Sequence, residues 1–218
     1  MNLGRRLGAE GLGSLLLSAT VIGSGIMAEK LASGNTAVAL LANTGATVAV
    51  LAVLIALLAP VSGAHFNPAV SLVQALCKVM PWSEAGAYVL VQIAGCGAGA
   101  LLAHAMFELP LLQSSQHVRA GPAQWLSEAV ATFGLLLVIL GPKRPQNTPW
   151  MVAGWIGAAY WFTASTSFAN PAITLARSLS DTFAGIRLQD APGFVGAQLV
   201  GALAGYYVAR TLFTPPIA

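Results

Sequence analysis

Charged residues are scarce in this chain. Only 8% of its 218 residues are Asp, Glu, Lys or Arg, whereas 56% are hydrophobic; a soluble domain typically has about 25% charged residues. Such a chain lacks the polar side chains that would cover a surface in water. Its net charge of +3 is small and scattered, so the composition does not favour nucleic-acid binding. We therefore predict an all-α membrane protein in contact with a lipid bilayer.

Cysteine is also rare. Cys77 and Cys96 are the two cysteines of the chain, both lie in apolar surroundings, and neither belongs to a pattern with metal-ligand spacing. The apolar segments carry no Ser–His or metal-ligand constellation either. We therefore predict no catalytic residues, no metal site and no cofactor, and we do not expect an enzyme.

The long hydrophobic runs predict how the chain crosses the membrane. A helix needs about 20 apolar residues to cross a bilayer core about 30 Å thick. A helix of about ten residues rises only about 15 Å, so the two shorter runs are predicted to be re-entrant half-helices. The six predicted transmembrane helices cover roughly 7–28, 36–59, 83–106, 124–141, 150–167 and 192–211, and the half-helices lie near 67–77 and 170–180.

Basic residues predict the orientation of the chain. Most of them fall at the two ends and in two connections that six transmembrane helices place on one side of the membrane. The positive-inside tendency then predicts a multi-pass protein of the inner (plasma) membrane with both termini in the cytoplasm. Glu10 interrupts the first apolar run, so we expect a retained helix there and not a cleaved signal peptide. The basic residues of the predicted cytoplasmic side are Arg5, Arg6, Lys78, Lys143, Arg144 and Arg210.

The two halves of the chain resemble each other. Residues 67–76 read Asn-Pro-Ala-Val-Ser-Leu-Val-Gln-Ala-Leu, and residues 170–179 read Asn-Pro-Ala-Ile-Thr-Leu-Ala-Arg-Ser-Leu. Each half has three long helices and one half-helix, and an odd number of crossings forces the second copy to be inverted in the membrane. Inverted repeats place their shared site near the midplane. We predict one channel domain over residues 1–218, with repeats of about 1–106 and 119–218.

Both half-helices begin with Asn-Pro-Ala. Asn is a favoured N-cap and Pro suits the first helical position, so one copy alone would indicate only a helix start. A capping Asn uses its side-chain oxygen on its own helix, which leaves the NH₂ group to donate elsewhere. Two opposed copies are therefore expected to hold donors toward a shared pore. The motif residues are Asn67, Pro68, Ala69, Asn170, Pro171 and Ala172.

The opposed helix starts also predict an electrostatic barrier. Each start carries roughly half a positive charge, and two facing starts place this charge at the point farthest from bulk water. Cations, hydronium included, are repelled, whereas water or a polyol oxygen can accept the donated hydrogen bonds. The pattern predicts a passive channel for small uncharged polar solutes.

At these residues the chain resembles the aquaporin, or major intrinsic protein, family. The string Ser62-Gly-Ala-His65-Phe-Asn67-Pro-Ala69 is similar to the family signature, and the similarity covers nearly the whole chain. The resemblance implies an hourglass bundle of six transmembrane helices and two half-helices, usually a homotetramer with one pore per subunit. It also implies that Glu10 and Glu128 bind the backbone of the re-entrant loops, and that His65 lines the pore.

The chain departs from water-selective family members directly after the second motif. Such members, and glycerol-selective ones, usually have an arginine there, and this chain has Ile173. Counting back from each motif without gaps, the resemblance places the other three constriction residues at Thr47, Ala158 and Ser167. This constriction is then expected to be wider and less cationic, and to admit molecules bulkier than water.

Arg177 complicates this expectation. It follows Ile173 by one helical turn, on nearly the same face and about 6 Å farther out. The string Arg177-Ser-Leu looks like the family's Arg-Ser-Leu displaced by one turn, so Arg177 could be a shifted donor in the outer vestibule. On the sequence alone we prefer the plainer alternative, an ion pair with Asp181 or solvation at the membrane edge.

The solutes are suggested by resemblance alone. Residues 160–172 and 177–186 are similar to a bacterial subgroup that is linked with arsenic resistance and resembles aquaglyceroporins. This suggests water, glycerol-like polyols, and neutral arsenite or methylated arsenicals as permeants. An ion-coupled secondary transporter remains the alternative, and it would need Glu10 and Glu128 to face a substrate site. A junctional membrane protein with a closed pore is a further alternative.

Overall fold

The computed structural model describes residues 2–142 and 144–213, and this part of the chain contains helices and no strands. The predicted all-α fold of six transmembrane helices and two half-helices is confirmed. Lys143, one of the basic residues that predict the orientation, lies outside the described residues. The long helices are α1 Leu3–Leu31, α2 Thr36–Ser62, α4 Trp82–Met106, α5 Pro122–Leu140, α6 Thr148–Phe162 and α8 Ala191–Phe213; the half-helices are α3 Pro68–Leu76 and α7 Pro171–Arg177, and a 3₁₀ turn, Pro145–Asn147, precedes α6.

Four of the helices, α1, α2, α4 and α5, are long and apolar enough to cross a membrane by themselves. Their outward faces expose large apolar side chains, which suits a surface covered by lipid. Examples of these exposed side chains are Leu41, Val53, Leu57, Leu90 and Leu126. Helix α6 has only 15 residues, about 22 Å, and ends five residues before the predicted limit of 167.

Glycines let the long helices of each half pack closely. Helix α1 packs along α4, and α5 packs along α8. Gly95 and Gly99 of α4 lie directly against the backbone of α1, and Gly201 and Gly205 of α8 lie against the backbone of α5; a Cβ at any of the four would overlap that backbone or a side chain on it. Small residues at such positions are how membrane helices approach, and the same spacing of four in α4 and α8 reflects the internal repeat.

The half-helices lie inside the bundle and meet at their N-terminal ends. Each of α3 and α7 contacts both α4 and α8, and the two also contact each other. The loops that lead into them are buried among the long helices. This arrangement brings the two Asn-Pro-Ala motifs together in the middle of the protein.

Candidate functional site

A cavity of about 290 Å³ runs between the two motifs. Side chains of α1, α2, α3, α5, α6 and α7 line it, together with the loops before α3 and α7. Both halves of the chain therefore contribute to one shared cavity. The candidate site residues that line it are Thr47, His65, Asn67, Ser167, Asn170, Ile173 and Arg177.

The two motif asparagines are N-caps in the same way. The Oδ1 atom of Asn67 accepts the Ala69 N–H at 3.0 Å, and that of Asn170 accepts the Ala172 N–H at 3.0 Å. Both asparagines are only 5% exposed and have extended backbones, with prolines following at the first helical positions. The helix starts are thus capped from within, and their remaining positive ends face each other.

The NH₂ groups of the same asparagines bridge the two halves. Asn67 Nδ2 donates to the Ala169 carbonyl at 2.7 Å, and Asn170 Nδ2 donates to the Phe66 carbonyl at 2.7 Å. Each NH₂ group has two hydrogens, so one holds the opposite loop and one is left for the cavity. The sequence predicted that the two asparagines hold donors toward a shared pore, but not the bridges, because each opposite loop is more than 100 residues away in the chain.

The loops before the half-helices share an unusual backbone. Ala64 and Phe66 stand three and one residues before Asn67 and have positive φ; Ser167 and Ala169 stand at the same distances before Asn170 and also have positive φ. Non-glycine residues adopt this conformation at a cost of about 1–2 kcal/mol each. The surroundings must therefore hold both loops in place.

Glu10 holds the first loop. Its carboxylate is fully buried and accepts the backbone N–H groups of His65 and Phe66 at 3.0 and 2.8 Å. It also accepts the Ser62 hydroxyl at 2.6 Å and the Gln92 amide at 2.8 Å. With four donors, the carboxylate offsets the strain of the loop and has no need of a cation.

Glu128 holds the second loop in the same manner. It is fully buried and accepts the N–H groups of Phe168 and Ala169, each at 2.8 Å. The Gln198 amide donates to it at 2.6 Å. Both glutamates therefore bind backbone, and neither carboxylate group lines the cavity.

His65 lies at the cavity wall on the α3 side. Its Nδ1 atom is 3.0 Å from the Ser71 hydroxyl, which also accepts the Gln92 amide at 2.9 Å. Its ring lies 5.3 Å from the Tyr88 ring, centroid to centroid. These contacts fix the imidazole against the wall.

The cavity wall contains three of the four residues that were predicted for the constriction. Thr47, Ser167 and Ile173 line the cavity, but Ala158 does not and is exposed on the outside of α6. Tyr160 takes the place assigned to Ala158: it lines the cavity, and its hydroxyl lies 3.3 Å from the Thr47 hydroxyl.

The error comes from counting through a loop without gaps. An α-helix turns by about 100° per residue, so a shift of two residues moves a side chain from the cavity to the opposite face. A signal for the right frame exists in the sequence of α6. Thr148, Val152, Ile156 and Tyr160 are spaced by four and all line the cavity, whereas Ala158 lies off this row.

Arg177 also lies differently from the alternative that the sequence favoured. It is 2% exposed and lines the cavity. Its Nε donates to the Ala184 carbonyl, and its guanidinium carbon lies 3.4 Å from the centroid of the Phe168 ring. Asp181, the proposed ion-pair partner, instead accepts the Gln116 N–H. Arg177 is thus neither paired with Asp181 nor solvated at the membrane edge.

The cavity wall near Ile173 therefore carries a bulkier side chain and more charge than the sequence suggested. Tyr160 adds an aromatic ring where an alanine was expected, and Arg177 adds a buried cation one turn beyond Ile173. Two polar atoms on this wall, Ser167 Oγ and Arg177 Nη1, are buried and have no hydrogen-bond partner within the described residues.

Comparisons with known proteins agree with this fold. A family model described as "Major intrinsic protein" matches residues 1–160. The chain is 56% identical over 216 residues to the aquaglyceroporin AqpS of Rhizobium meliloti (strain 1021), an alignment that covers 98% of this chain and 92% of the relative. It is 32% identical over 148 residues to a probable glycerol uptake facilitator protein of Thermotoga maritima, covering 61% of this chain and 62% of that protein.

A solved structure shows the same fold. The X-ray structure of the aquaglyceroporin from Plasmodium falciparum matches with a TM-score of 0.66, and the alignment covers 96% of this chain and 95% of that one. The two sequences are 21% identical. This likeness supports the arrangement of helices and half-helices.

Proposed function

The chain belongs to the major intrinsic protein family, whose members are channels and not enzymes, and we propose that it carries small uncharged polar solutes passively through the cavity between its half-helices. One observation carries this proposal. The two motif asparagines lie in one cavity, each bound to the opposite loop at 2.7 Å, so two helix starts point at the same passage.

This geometry supports exclusion of ions and protons. Two helix starts place partial positive charge in mid-membrane, where few mobile charges can screen it, and a cation would lose its hydration there. The spare hydrogens of Asn67 and Asn170 donate to a solute oxygen. A water molecule held by two donors is oriented, which hinders relay of a proton along the file.

Water and glycerol-like polyols are the proposed solutes. This follows from the names of the relatives, an aquaglyceroporin and a probable glycerol uptake facilitator, and from the wall chemistry. Asn67 and Asn170 bring amide groups to the cavity wall, while Ile173 offers an apolar surface for a carbon chain. Neutral arsenite and methylated arsenicals are included in the proposal, because an uncharged trihydroxy acid presents hydroxyl groups much as glycerol does.

The contacts of the buried glutamates favour a channel over an ion-coupled transporter. Such a transporter would need intramembrane acids that face its substrate. The carboxylates of Glu10 and Glu128 accept backbone N–H groups and a glutamine amide each, and they would have to leave these donors to bind an ion.

The setting of the channel completes the proposal. We place it in the inner (plasma) membrane with both termini in the cytoplasm, because the basic residues cluster on that side. We further propose one channel domain built of repeats of about 1–106 and 119–218, assembled as a homotetramer with a pore in each subunit. The tetramer is proposed from the family resemblance.

Flux through proteoliposomes tests the proposed function. Stopped-flow light scattering should show water and glycerol permeability well above that of protein-free vesicles, with no measurable proton or sodium leak. Saturation together with a need for an ion gradient would instead indicate a transporter, and the absence of flux for every osmolyte would indicate a closed pore. Parallel arsenite measurements decide whether that solute belongs to the set.

An Ile173→Arg variant tests the constriction. A guanidinium next to the Asn170 helix start fills the space of the apolar wall, so glycerol permeability should fall more than water permeability, by roughly tenfold for a barrier increase of about 1.4 kcal/mol. Ile173→Leu is the matched control, because it keeps the volume and apolar character. Equal loss of water and glycerol flux would contradict a selective role for this position.

A further inference from the structure

Two arginines that are far apart in the sequence meet at the outer end of the cavity. Arg177 ends α7, and Arg119 lies in the connection between α4 and α5. Arg119 is 9% exposed, and its guanidinium carbon lies 5.1 Å from the centroid of the Phe168 ring, the same ring that Arg177 covers at 3.4 Å. Phe168 immediately precedes Ala169, whose carbonyl accepts a hydrogen bond from Asn67. Both cations therefore lie beside the backbone that leads into the second Asn-Pro-Ala motif.

The two arginines bind three successive carbonyl groups. Arg119 Nε donates to the Gly185 carbonyl at 2.8 Å and its Nη2 donates to the Phe183 carbonyl at 3.4 Å. Arg177 Nε donates to the carbonyl between them, that of Ala184. Arg119 therefore binds the two carbonyls on either side of the one that Arg177 binds.

The connection that carries Arg119 is itself fixed to this segment. The Ser115 N–H donates to the Ser178 carbonyl at 3.0 Å, and the Arg119 N–H donates to Asp190 at 2.9 Å. A Cβ on Gly185 would overlap Ser115, so only glycine allows this close approach. Arg119 thus reaches its carbonyl partners from a rigid backbone.

Within the described residues, no carboxylate contacts the guanidinium group of Arg119 or of Arg177. The ion pairs in this part of the chain join Arg6 to Glu84 and Arg187 to Asp190, and the guanidinium groups of Arg119 and Arg177 contact carbonyls and an aromatic ring instead. Burial lowers the pKa of Arg119 to about 10, which still leaves it a cation at neutral pH. The outer constriction is therefore positively charged.

We propose that Arg119 is a positioning residue of the outer constriction: it fixes the carbonyls of residues 183–185 and thereby holds the Arg177 guanidinium group in place in the cavity wall that solutes pass. This rests on the proposed channel function. The Arg119 guanidinium donates from three nitrogens to the carbonyls of Ser165, Phe183 and Gly185, and a lysine ammonium lacks this planar fork. Arg119 itself is not among the residues that line the cavity, so its influence on solutes passes through Arg177.

Comparing variants of the two arginines in proteoliposomes tests the proposal. Arg119→Gln should lower the ratio of glycerol to water permeability roughly two- to tenfold, since residues in a coupled network shift such balances to this extent. Arg177→Gln should lower it at least as far. In the double variant, Arg119→Gln should add nothing to Arg177→Gln, because the donor that Arg119 orients is already gone.

A lysine variant and a matched arginine control sharpen the test. Arg119→Lys keeps the charge and loses the fork, so it should behave like Arg119→Gln; wild-type behaviour of Arg119→Lys would show that charge alone matters and would overturn positioning. Arg5→Gln removes an exposed arginine that does not line the cavity, and it should leave the ratio unchanged.

The outcomes separate this proposal from the function on which it rests. Absence of flux in the wild-type protein would refute the channel function. Two outcomes would refute the positioning role of Arg119 and leave the channel function intact. In the first, Arg119→Gln leaves the ratio of glycerol to water permeability unchanged; in the second, the effects of Arg119→Gln and Arg177→Gln add. Amide hydrogen exchange gives a readout without flux: residues 183–186 should exchange faster in Arg119→Gln and Arg119→Lys, and unchanged exchange would also overturn the proposal.

Discussion

The surroundings of α3 and of α7 are alike near the middle of the protein and differ toward its two faces. In each half a buried glutamate binds the loop, and a glutamine of the last helix joins that glutamate to a hydroxyl of the half-helix. The two sets are Glu10, Gln92 and Ser71, and Glu128, Gln198 and Thr174. The chain thus uses one solution twice to hold a strained loop and a helix start in mid-membrane.

The difference begins two residues before each asparagine. The first half has His65 there and the second has Phe168. The arginine near His65, Arg6, is paired with Glu84 at 2.7 Å, whereas the arginine over Phe168, Arg177, contacts no carboxylate within the described residues. The shared part therefore holds the loops that border the cavity, and the unshared part places different charged and polar groups at its two ends.

Removing either glutamate is the severest challenge to the shared part. Glu10→Ala and Glu128→Ala each leave two buried backbone N–H groups without an acceptor, at about 1–3 kcal/mol per group, so the free energy of unfolding should fall by roughly 3–5 kcal/mol. Thermal unfolding of the purified protein in detergent measures this. Glu10→Ala should be the worse, since Glu10 accepts four donors and Glu128 three.

Glu84→Ala is the control for this pair. Its ion pair with Arg6 is partly exposed, with 25% of the Glu84 side chain accessible, and such pairs contribute at most about 1 kcal/mol. If the two buried glutamate variants unfold no earlier than Glu84→Ala, the claim that the carboxylates support the loops is wrong.

The glycine contacts of α4 and α8 give the next largest effect. Gly95→Ala and Gly201→Ala each push a methyl group into the facing backbone, and this overpacking should cost about 1–3 kcal/mol of stability. The two substitutions should be similar, because the repeat gives them equivalent neighbours. Thermal unfolding in detergent again measures the change.

Two other glycines on the same helices are matched controls. A Cβ on Gly97 or Gly196 meets nothing within 4 Å, so Gly97→Ala and Gly196→Ala should be neutral or should stabilise by up to about 1 kcal/mol through helix propensity. Loss of stability in these controls would show that the glycines matter for reasons other than close approach.

The asparagines test whether the halves are functionally as well as structurally alike. Asn67→Ala and Asn170→Ala each remove a cap, a bridge to the opposite loop and a donor to the cavity. Flux should fall or proton leak should rise by a similar factor in both, roughly three- to tenfold for about 1 kcal/mol or slightly more per lost interaction, while the protein still assembles. Proton leak is measured with a pH dye in the same vesicles.

Asn35→Ala is the control for the loss of a cap. Asn35 caps α2 by accepting the Ala37 and Val38 N–H groups, far from the cavity wall, so it should cost about 1 kcal/mol of stability and leave permeation unchanged. A large effect of Asn67→Ala with none of Asn170→Ala would break the proposed equivalence of the two helix starts.

Much of the fold could be predicted from the sequence because its signals are local. Run length alone separates six crossings from two half-helices, and a repeated Asn-Pro-Ala marks both helix starts. The site was harder to predict because its contacts are long-range. Nothing in the pattern around Arg119 indicates that it binds carbonyls of residues 165, 183 and 185, which only the packing of two loops brings near.

The sequence missed Tyr160 as a cavity residue for a different reason, which is the ungapped count through the loop after α6. Tyr160 also supplies the prediction with the smallest effect. Its hydroxyl lies 3.3 Å from that of Thr47, longer than a good O–H···O bond of about 2.5–3.0 Å, so Tyr160→Phe should change the ratio of glycerol to water permeability by less than about twofold. Tyr160→Ala removes the ring and should raise glycerol permeability more. Ala158→Leu should change neither permeability, because Ala158 is exposed outside the cavity. If Ala158→Leu changed the selectivity and Tyr160→Ala did not, the ungapped alignment would be correct. The face of α6 that we assign to the cavity wall would then be wrong.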